Sequence, residues 1–312
     1  MPFFSVVIPC YNSSAYLRET LLALKNQSFK DFEVVLVDDN STDDSFELAK
    51  SLFNEFGLIG KCVQKDISQY PKGVSGARNM GIDLSSGTWI CFLDSDDLFE
   101  KEKLAGCFDI ISQNQQIKAL HHAVVEFDDE TGKELNKVVL NELKGIHEKL
   151  PKLLSFNNIC TSTVCFHRSL LQEIGNFNTN LNGIEDFYMW LLASKKTHWY
   201  YSVSCWTRYR VRAESLMGNK PLKHYFKQNM GLLAIVKNHP QFSKDEFRRL
   251  EKYLAKEVIA YYANNSVNRV GVFKTILELA GIIKYRYLGV FWTNALRLTK
   301  NYVLSKVVKL AK

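Results

Sequence analysis

Three carboxylates lie within four positions of the segment CFLDSDDLFE, which spans residues 91–100. Asp94, Asp96 and Asp97 follow an apolar run, and no lysine or arginine lies among them. Like charges at this spacing repel each other unless a cation neutralises them, and an all-oxygen set suits Mg²⁺ or Mn²⁺. The pattern indicates a divalent-metal site, although a solvated turn with a helix N-cap at Asp96 or Asp97 would also explain it.

Two further pairs of acids are candidates for the same chemistry. Asp38 and Asp39 end the apolar segment FEVVLVDD, where they could also cap a turn. Glu185 and Asp186 open the segment EDFYMWLLASKK, and acids in the first turn of a helix also complement the helix dipole. Whether these acids share one site depends on the elements that carry them.

Buried strands and capped helices alternate along the start of the chain. Their predicted order is strand 3–9, helix 14–27, strand 32–39, helix 41–56 and, after a weaker strand and a third helix, the strand TWICFLDSDD. Such alternation predicts an α/β fold with a mostly parallel sheet flanked by helices. Ligands bind these sheets beyond the carboxyl ends of the strands, so the acids at the strand ends should line one crevice. The first strand is not followed by G-x-G-x-x-G, which disfavours a dinucleotide fold.

The predicted ends of these helices involve polar side chains. Ser13 or Ser14 can cap the first helix, and Asp43 and Asp44 would lie in the first turn of the second. Further along, the sequence predicts a hairpin with a turn near Thr131-Gly132, a strand followed by a short helix in CTSTVCFHRSLLQEIG, and an aromatic strand in WYYSVSCWTRYRV. After about residue 220 the pattern is helical.

The composition is that of a globular protein in a reducing compartment. The seven cysteines form no C-x-x-C pair and lie mostly in apolar runs, which predicts buried thiols rather than disulfides or zinc ligands. The amino terminus does not resemble a signal peptide, and no segment reaches the roughly 18 apolar residues of a membrane span. We therefore expect a cytoplasmic protein.

Four segments, in this order, resemble the inverting family-two glycosyltransferases of the GT-A fold. They are the opening block SVVIPCYNSSAYLRETLLALKNQSFKDFEVVLVDDNSTDDS, GVSGARNMGI, GTWICFLDSDD and GIEDFYMWL, within about residues 4–215. The resemblance implies transfer of a sugar from a nucleoside-diphosphate donor, with Mn²⁺ or Mg²⁺ as cofactor. It also implies a catalytic domain over 1–219, with a nucleotide-sugar-binding half at about 1–100 and an acceptor half at about 101–219.

On the donor side, the resemblance assigns a role to several polar residues. Pro9 and Tyr11 would lie against the nucleoside, and Asp39 would accept the N–H of the uracil imide, which cytosine lacks. Arg78 in GARNMG would lie near the diphosphate, where a guanidinium can fork onto phosphate oxygens. Gly73 and Gly76 could let the backbone approach the ligand closely.

At the reacting end, the resemblance identifies the D-x-D sequence as Asp94, Ser95 and Asp96. Asp96 would be the main metal ligand and Asp94 would assist it, while Ser95 would contact the nucleotide sugar. Asp97 is expected to cap the following helix. Asp186 would act as the general base, and Glu185 would help to bind the acceptor.

The segment RYRVRAESLM resembles the loop that closes over the diphosphate, through Tyr209, Arg210 and Ser215. The family often has a histidine where this chain has Arg212. Where that histidine helps to hold the metal, this chain must do without it, and Arg212 could supply positive charge to the donor instead. Metal dependence is therefore an open point of the resemblance.

Charge divides the chain into an acidic body and a basic carboxyl-terminal region. Residues 220–312 contain 18 Lys and Arg against 5 Asp and Glu, a net +13, so the +7 of the whole chain leaves about −6 for 1–219. Residues 282–312 hold seven basic residues and no acid, interleaved with aromatic residues. This pattern suits an anionic membrane surface at the inner face of the cell membrane, and a packing helix of a homo-oligomer explains it equally well.

These observations together predict an inverting glycosyltransferase that uses a UDP-sugar and a saccharide or lipid-linked acceptor, in surface polysaccharide or glycolipid synthesis. The alternative is a catalytically silent nucleotide-sugar-binding partner of another transferase. A nucleotidyltransferase is disfavoured, because PCYNSSAYL lacks the glycine-rich basic phosphate loop expected after the first strand. Nucleic-acid binding is disfavoured by the acidic body and by the absence of a nucleic-acid motif in the sequence.

Overall fold

The computed structural model describes residues 1–140, 143–155, 157, 159–212 and 222–265. The chain divides into two compact units, Met1–Asn219 and Lys220–Lys312. The strands of the first unit are β1 (Phe4–Cys10), β2 (Phe32–Asp38), β3 (Gly60–Gln64), β4 (Trp89–Phe92), β5 (Leu98–Phe99), β6 (Ala119–Asp128), β7 (Glu134–Val138), β8 (Gly145–His147), β9 (Cys165–His167) and β10 (Trp199–Val211). Its helices are α1 (Ser14–Lys25), α2 (Ser45–Phe56), α3 (Val74–Leu84), α4 (Lys103–Gln113), α5 (Leu150–Leu153), α6 (Arg168–Ile174) and α7 (Glu185–Lys196).

All ten of these strands form one sheet, whose main order is β3-β2-β1-β4-β9-β6-β10-β5. The first four strands in this order are parallel to one another. The other half mixes directions: β9 is antiparallel to β4 and β6, β10 is parallel to β6, and β5 is antiparallel to β10. The predicted α/β fold with helices flanking a sheet is confirmed, with the parallel pairing concentrated in the first half.

Helices cover both faces of the parallel half. On one face, β1 and β2 pack against α1, α2 and α4 in a large apolar cluster that includes Leu17, Leu21, Leu52 and Leu104. On the other face, Val35 and Val37 pack against Ala77 of α3. Burial on both faces explains why β1 and β2 are continuous apolar runs rather than alternating patterns. Each fully buried Leu or Val side chain stabilises the fold by roughly 1.5–3 kcal/mol.

Most predicted elements lie where the sequence places them. The hairpin is formed by β6 and β7 and turns at Gly132, the strand and short helix are β9 and α6, and the aromatic strand is β10. All seven cysteines fall within the described residues and are free thiols. Four of them are buried: Cys10, Cys91, Cys107 and Cys165.

One helix start and one helix cap differ from the prediction. The second helix begins at Ser45 rather than at 41, because Asp43 lies before the helix and accepts hydrogen bonds from the backbone N–H groups of Ser45 and Ser14. Ser13 precedes α1, but its hydroxyl makes no capping bond. That hydroxyl instead donates to the Tyr11 carbonyl and shares a 2.7 Å hydrogen bond with the hydroxyl of Ser95.

The second unit contains α8 (Leu222–Asn238) and α9 (Lys244–Asn265). These helices pack against each other, and the buried apolar side chains of this unit include Leu232, Val236, Leu250 and Leu254. The predicted basic and aromatic segment 282–312 lies outside the described residues, as does Ser215. No helix in the described part of the chain is long and apolar enough to cross a membrane.

Candidate active site

The carboxyl ends of β1, β2, β3 and β4 lie at the same edge of the sheet, because these strands are parallel. Pro9 is buried within β1, opposite Val37 of β2. Tyr11 follows directly and is 46% exposed, with the ammonium group of Lys72 5.7 Å from its ring centroid. This edge therefore presents an aromatic face beside the ends of the central strands.

Asp39, just beyond β2, is buried and has partners for both carboxylate oxygens. Its Oδ2 accepts the backbone N–H of Gly73 at 2.8 Å, and its Oδ1 forms an ion pair with Lys65. Lys65 is also buried, and its ammonium group donates to the Pro71 carbonyl at 2.8 Å. Asp39 thus fixes the loop between β3 and α3. Lys65 was not among the residues predicted from the sequence.

Gly73 at the end of that loop and Gly76 in the first turn of α3 both serve the backbone itself. Gly73 has φ +113°, a conformation that favours glycine. At Gly76 the carbonyl of Pro71 occupies the space that a Cβ atom would need. The close approach predicted at Gly76 is therefore made by the chain's own backbone.

The D-x-D residues follow β4 and are tied to several other elements. Asp94 accepts a 2.7 Å hydrogen bond from Arg78 Nη2 at its Oδ1, and its backbone N–H donates to Ser162 Oγ. Ser95 is buried, and its carbonyl accepts the hydroxyl of Thr20 in α1. Asp96 Oδ2 lies 2.5 Å from Arg212 Nη2. Each of the two acids of the D-x-D motif, Asp94 and Asp96, is therefore in contact with a guanidinium.

Asp97 does not cap a helix, contrary to the prediction. Its side chain is fully buried, accepting Ser162 Oγ at 2.5 Å and the backbone N–H of Arg210 at 3.0 Å. The reason is that β5 intervenes, so α4 begins only at Lys103. Burial, followed by the charges of Asp96 and Asp94, holds the pKa of Asp97 well above its usual value.

Arg78 joins the D-x-D sequence to the first turn of α7. Its Nη1 lies 3.0 Å from Glu185 Oε1, while Nη2 binds Asp94, and the Arg78 side chain is only 5% exposed. Glu185 Oε2 accepts the backbone N–H groups of Gly183 and Ile184. The predicted fork of Arg78 thus closes on two carboxylates, and both oxygens of Glu185 have partners within the protein.

Asp186 lies next to this pair and is only partly buried. Its Oδ1 accepts the backbone N–H of Phe187, and its Oδ2 accepts the hydroxyl of Thr161 at 3.2 Å. Removal of water from around the carboxyl group, together with the charge of Glu185, raises its pKa to about 6, against the opposing effect of Arg78. A carboxylate with this pKa and an accessible edge can accept a proton near neutral pH.

Arg210 closes the other side of the D-x-D segment. Its Nε donates to the Asp96 carbonyl, Nη1 pairs with Asp129 at 2.9 Å, and Nη2 pairs with Glu19 at 2.6 Å. The Arg210 side chain is 5% exposed, whereas that of Arg212 is 24% exposed. Glu19 and Asp129 were missed by the sequence reasoning, because Glu19 lies within the recognised opening block but has no role there from the resemblance, and Asp129 lies on the β6–β7 turn outside the recognised segments.

The oxygen ligands at Asp94 and Asp96 fit a hard divalent ion. Burial and the charge of Asp94 raise the pKa of Asp96. The positive charge of the Arg212 guanidinium, which contacts the same carboxylate, lowers that pKa but only partly offsets the increase. Within the described residues, no group of three or more His, Cys, Asp or Glu side chains converges to hold a metal. The set therefore suits an ion that takes one or two carboxylates and completes its shell with donor oxygens and water.

Comparison with known proteins gives the class of this chain. The family model described as Glycosyl transferase family 2 matches residues 5–175. The chain therefore belongs to glycosyl transferase family 2 and is a glycosyltransferase.

Several curated relatives support the same class. The GalNAc(5)-diNAcBac-PP-undecaprenol beta-1,3-glucosyltransferase of Campylobacter jejuni is 26% identical over 288 residues, which cover 90% of this chain and 89% of that protein. The amylovoran biosynthesis glycosyltransferase AmsB of Erwinia amylovora is 34% identical over 198 residues, or 62% of this chain and 64% of that protein.

Solved structures share the fold. S. aureus TarS in complex with UDP-GlcNAc superposes with a TM-score of 0.65 at 21% identity, covering 85% of this chain and 76% of that one. The mannosyltransferase PcManGT of Pyrobaculum calidifontis, in complex with GDP-Man and Mn²⁺, superposes with a TM-score of 0.57 at 17% identity. The match covers 97% of this chain and 86% of that one. The predicted GT-A fold is thereby confirmed.

Proposed function

We propose that this glycosyltransferase moves a sugar from a UDP-sugar to a hydroxyl group of a saccharide or lipid-linked acceptor, with inversion at the anomeric carbon. The observation that carries the proposal is the position of Asp186. Its carboxylate has a raised pKa and follows Glu185, which Arg78 ties directly to Asp94. A proton acceptor is thereby coupled to the D-x-D segment through two hydrogen bonds.

Asp186 acts as the general base in this proposal. It takes the proton of the acceptor hydroxyl as that oxygen attacks the anomeric carbon from the face opposite the leaving group. One displacement of this kind inverts the anomeric centre. Thr161 and the Phe187 N–H orient the carboxylate, and Glu185, whose oxygens are already engaged, acts by positioning the start of α7.

The leaving group is a nucleoside diphosphate, and its developing charge needs positive partners. Arg212 and Arg210 lie beside the D-x-D segment, and guanidinium groups bind phosphate oxygens in bidentate fashion. A divalent ion bound by Asp96 and Asp94 would add Lewis-acid stabilisation of the diphosphate. Ser95, whose hydroxyl bonds to that of Ser13, keeps the D-x-D backbone against the β1–α1 loop.

The nucleoside would bind at the ends of β1 and β2. The exposed ring of Tyr11 offers a stacking face, Pro9 fixes the strand end, and Asp39 accepts the uracil N–H. Each oxygen of Asp39 has a second lone pair in addition to the one used by Gly73 or Lys65. The UDP-GlcNAc complex of the structurally similar TarS is consistent with this choice.

The acceptor side is proposed from the relatives. The name of the Campylobacter jejuni relative specifies an undecaprenol-linked acceptor, and that of AmsB specifies amylovoran biosynthesis. We infer that this chain works in bacterial surface polysaccharide or glycolipid synthesis, on the cytoplasmic side of the membrane. Residues of about 1–100 would form the donor half and those of about 101–219 the acceptor half, with 220–312 as a separate region.

The experiment compares the wild-type chain with Asp186→Asn. Thermal-shift screening of UDP-, GDP- and CDP-sugars with and without Mn²⁺ identifies the donor, because a ligand that binds the native state stabilises it. Transfer is then measured with that donor and an undecaprenol-diphosphate-linked saccharide. We expect stabilisation by a UDP-sugar, transfer by the wild type, and a rate about 10²- to 10⁴-fold lower for the variant with donor binding retained.

Two results would contradict the proposal in different ways. Preferential stabilisation by GDP- or CDP-sugars would exclude the UDP donor. Tight UDP binding without transfer or donor hydrolysis, across a panel of acceptors, would favour the silent partner subunit.

A further inference from the structure

Arg212 differs from the other arginines of the site in how it is held. Arg78 and Arg210 have side chains that are 5% exposed, and each contacts two carboxylates. Arg212 contacts Asp96 at 2.5 Å, its guanidinium lies 4.8 Å from the ring centroid of Tyr16, and its side chain is 24% exposed. Among the described residues, the Nε atoms of Arg212 and Arg78 both have no hydrogen-bond partner, so Arg212 is distinguished by its single carboxylate partner and its larger exposed fraction. Arg212 is therefore the most accessible of these three cations and the least restrained.

The partner of Arg212 is the carboxylate to which the proposed function assigns the metal. Asp94 is less suited to bind a cation alone, because the buried guanidinium of Arg78 already holds it at 2.7 Å. A divalent ion on Asp96 would lie within a few ångströms of the Arg212 charge, and at that separation two cations repel strongly. Arg212 and a metal ion therefore compete for Asp96.

We propose that Arg212 is an exchangeable counter-ion: it neutralises Asp96 until a divalent cation binds that carboxylate, and then turns to bind the donor diphosphate. This inference rests on the proposed function. The position of Arg212 permits the exchange, since it directly follows β10 and its guanidinium can pivot over the Tyr16 ring while Arg210 keeps the strand end fixed. Its planar fork matches phosphate oxygens, whereas histidine offers a single ring nitrogen as metal ligand.

If Arg212 is an exchangeable counter-ion, its removal should change the affinities for Mn²⁺ and UDP in opposite directions. Without Arg212, Asp96 loses its resident cation, so Mn²⁺ should bind the free protein more tightly. The diphosphate loses a guanidinium partner, so UDP should bind more weakly. A residue with a merely structural role would weaken both ligands together, and a histidine-like metal ligand would weaken Mn²⁺ binding when removed.

The test measures both affinities separately in the full chain. Binding of Mn²⁺ without nucleotide is followed by the electron paramagnetic resonance signal of free Mn²⁺, and binding of UDP at saturating Mn²⁺ is measured by calorimetry. For Arg212→Gln we expect at least about fivefold tighter Mn²⁺ binding and roughly tenfold weaker UDP binding. Arg212→Lys, which keeps the charge but loses the fork, should bind Mn²⁺ like the wild type and UDP with intermediate affinity.

Arg208→Gln is the matched control, because Arg208 lies on β10, the strand that Arg212 follows, and its guanidinium lies over the Phe127 ring and donates to the Gly132 carbonyl. The Arg208→Gln variant should bind both Mn²⁺ and UDP within about twofold of the wild-type affinities. Unchanged or weaker Mn²⁺ binding by Arg212→Gln, in a protein that still binds UDP as wild type, would overturn the exchange alone. A wild-type chain that binds no UDP under any condition would instead contradict the proposed function.

Discussion

Arg78 and Glu185 are 107 positions apart in the sequence and form a buried ion pair, with 3.0 Å between Nη1 and Oε1. Both side chains are 5% exposed. The pair connects α3, which lies under the first half of the sheet, with α7, which carries the proposed base. The geometry between the D-x-D segment and Asp186 therefore depends on one guanidinium that lies between them.

Arg78→Met should destabilise the first unit more than the loss of an exposed ion pair does. Glu185 would remain buried without its counter-ion, and breaking a buried pair in this way costs about 3–5 kcal/mol of unfolding free energy. Denaturant unfolding measures the change. Arg18→Met, which removes an exposed pair with Glu55, should cost much less, because exposed ion pairs contribute little to stability. Equal losses for the two variants would show that Arg78 is not a structural link.

The transfer rate should depend on the ionisation of Asp186. Because its pKa in the unliganded chain is raised to about 6 and the base must be unprotonated, kcat/KM should rise with pH through about 6 and then level off. A rate profile from pH 4.5 to 8.5, with stability checked at each pH, measures this. Asp186→Glu should retain a sigmoidal profile with a shifted midpoint. A rate that is constant from pH 5 to 7 would remove Asp186 from the role of base.

Lys65→Met should impair the discrimination between uracil and cytosine. Without the ammonium group, Asp39 loses a buried ion-pair partner and part of what positions its carboxylate. We expect the ratio of CDP to UDP dissociation constants to fall by roughly tenfold, as measured by calorimetry. Lys61→Met is the control, since Lys61 is exposed on β3, the strand that Lys65 follows, and its ammonium group donates to the Leu84 carbonyl. An unchanged ratio in a folded Lys65 variant would mean that Asp39 needs no such support.

Asp97→Asn should change how stability depends on pH. Folding raises the pKa of Asp97 above its ordinary value of 3.8, so the folded chain holds this proton more tightly than the unfolded chain. The stabilisation is present in acid and is lost as the pH rises through the folded-state pKa. Asparagine cannot ionise, and its carbonyl can still accept the Arg210 N–H.

The midpoint of thermal unfolding for Asp97→Asn, relative to wild type, should therefore increase between pH 5 and pH 9. Asp109→Asn, on the exposed face of α4, should show no such trend. A midpoint of Asp97→Asn that stays constant or falls relative to wild type as the pH rises would mean that Asp97 is ionised without penalty in the folded state.

The sequence was sufficient to predict the sheet edge at which the acids gather. Apolar runs that end in carboxylates locate β2 and β4, and the strand–helix alternation makes them parallel. The partners of those acids were harder to predict. Lys65 follows a recognisable strand, but its contact with Asp39 depends on the register that pairs Asp38 with Gln64, which no local pattern specifies. The predicted roles of the individual site residues remain predictions.

The position of Asp97 shows a second limit. An acid followed by a helix is usually assigned as a cap, and the two-residue strand β5 is too short to give a pattern of its own. Its antiparallel pairing with Thr207 and Arg208 brings the Arg210 backbone to Asp97. Such a contact depends on strand pairing over more than a hundred positions, so sequence spacing could not predict it.

The strand order also determines which truncated forms of this chain can retain a complete sheet. The match to the family model ends at residue 175, but β10 lies between β6 and β5, and Arg212 follows it directly. A polypeptide that ends at 175 would keep the whole D-x-D motif, yet β5, β6 and β8 would each lose β10 as a partner, and the proposed base Asp186 and both neighbouring guanidiniums would be missing. Expression boundaries for this enzyme should therefore include the whole sheet through β10 and extend beyond Arg212.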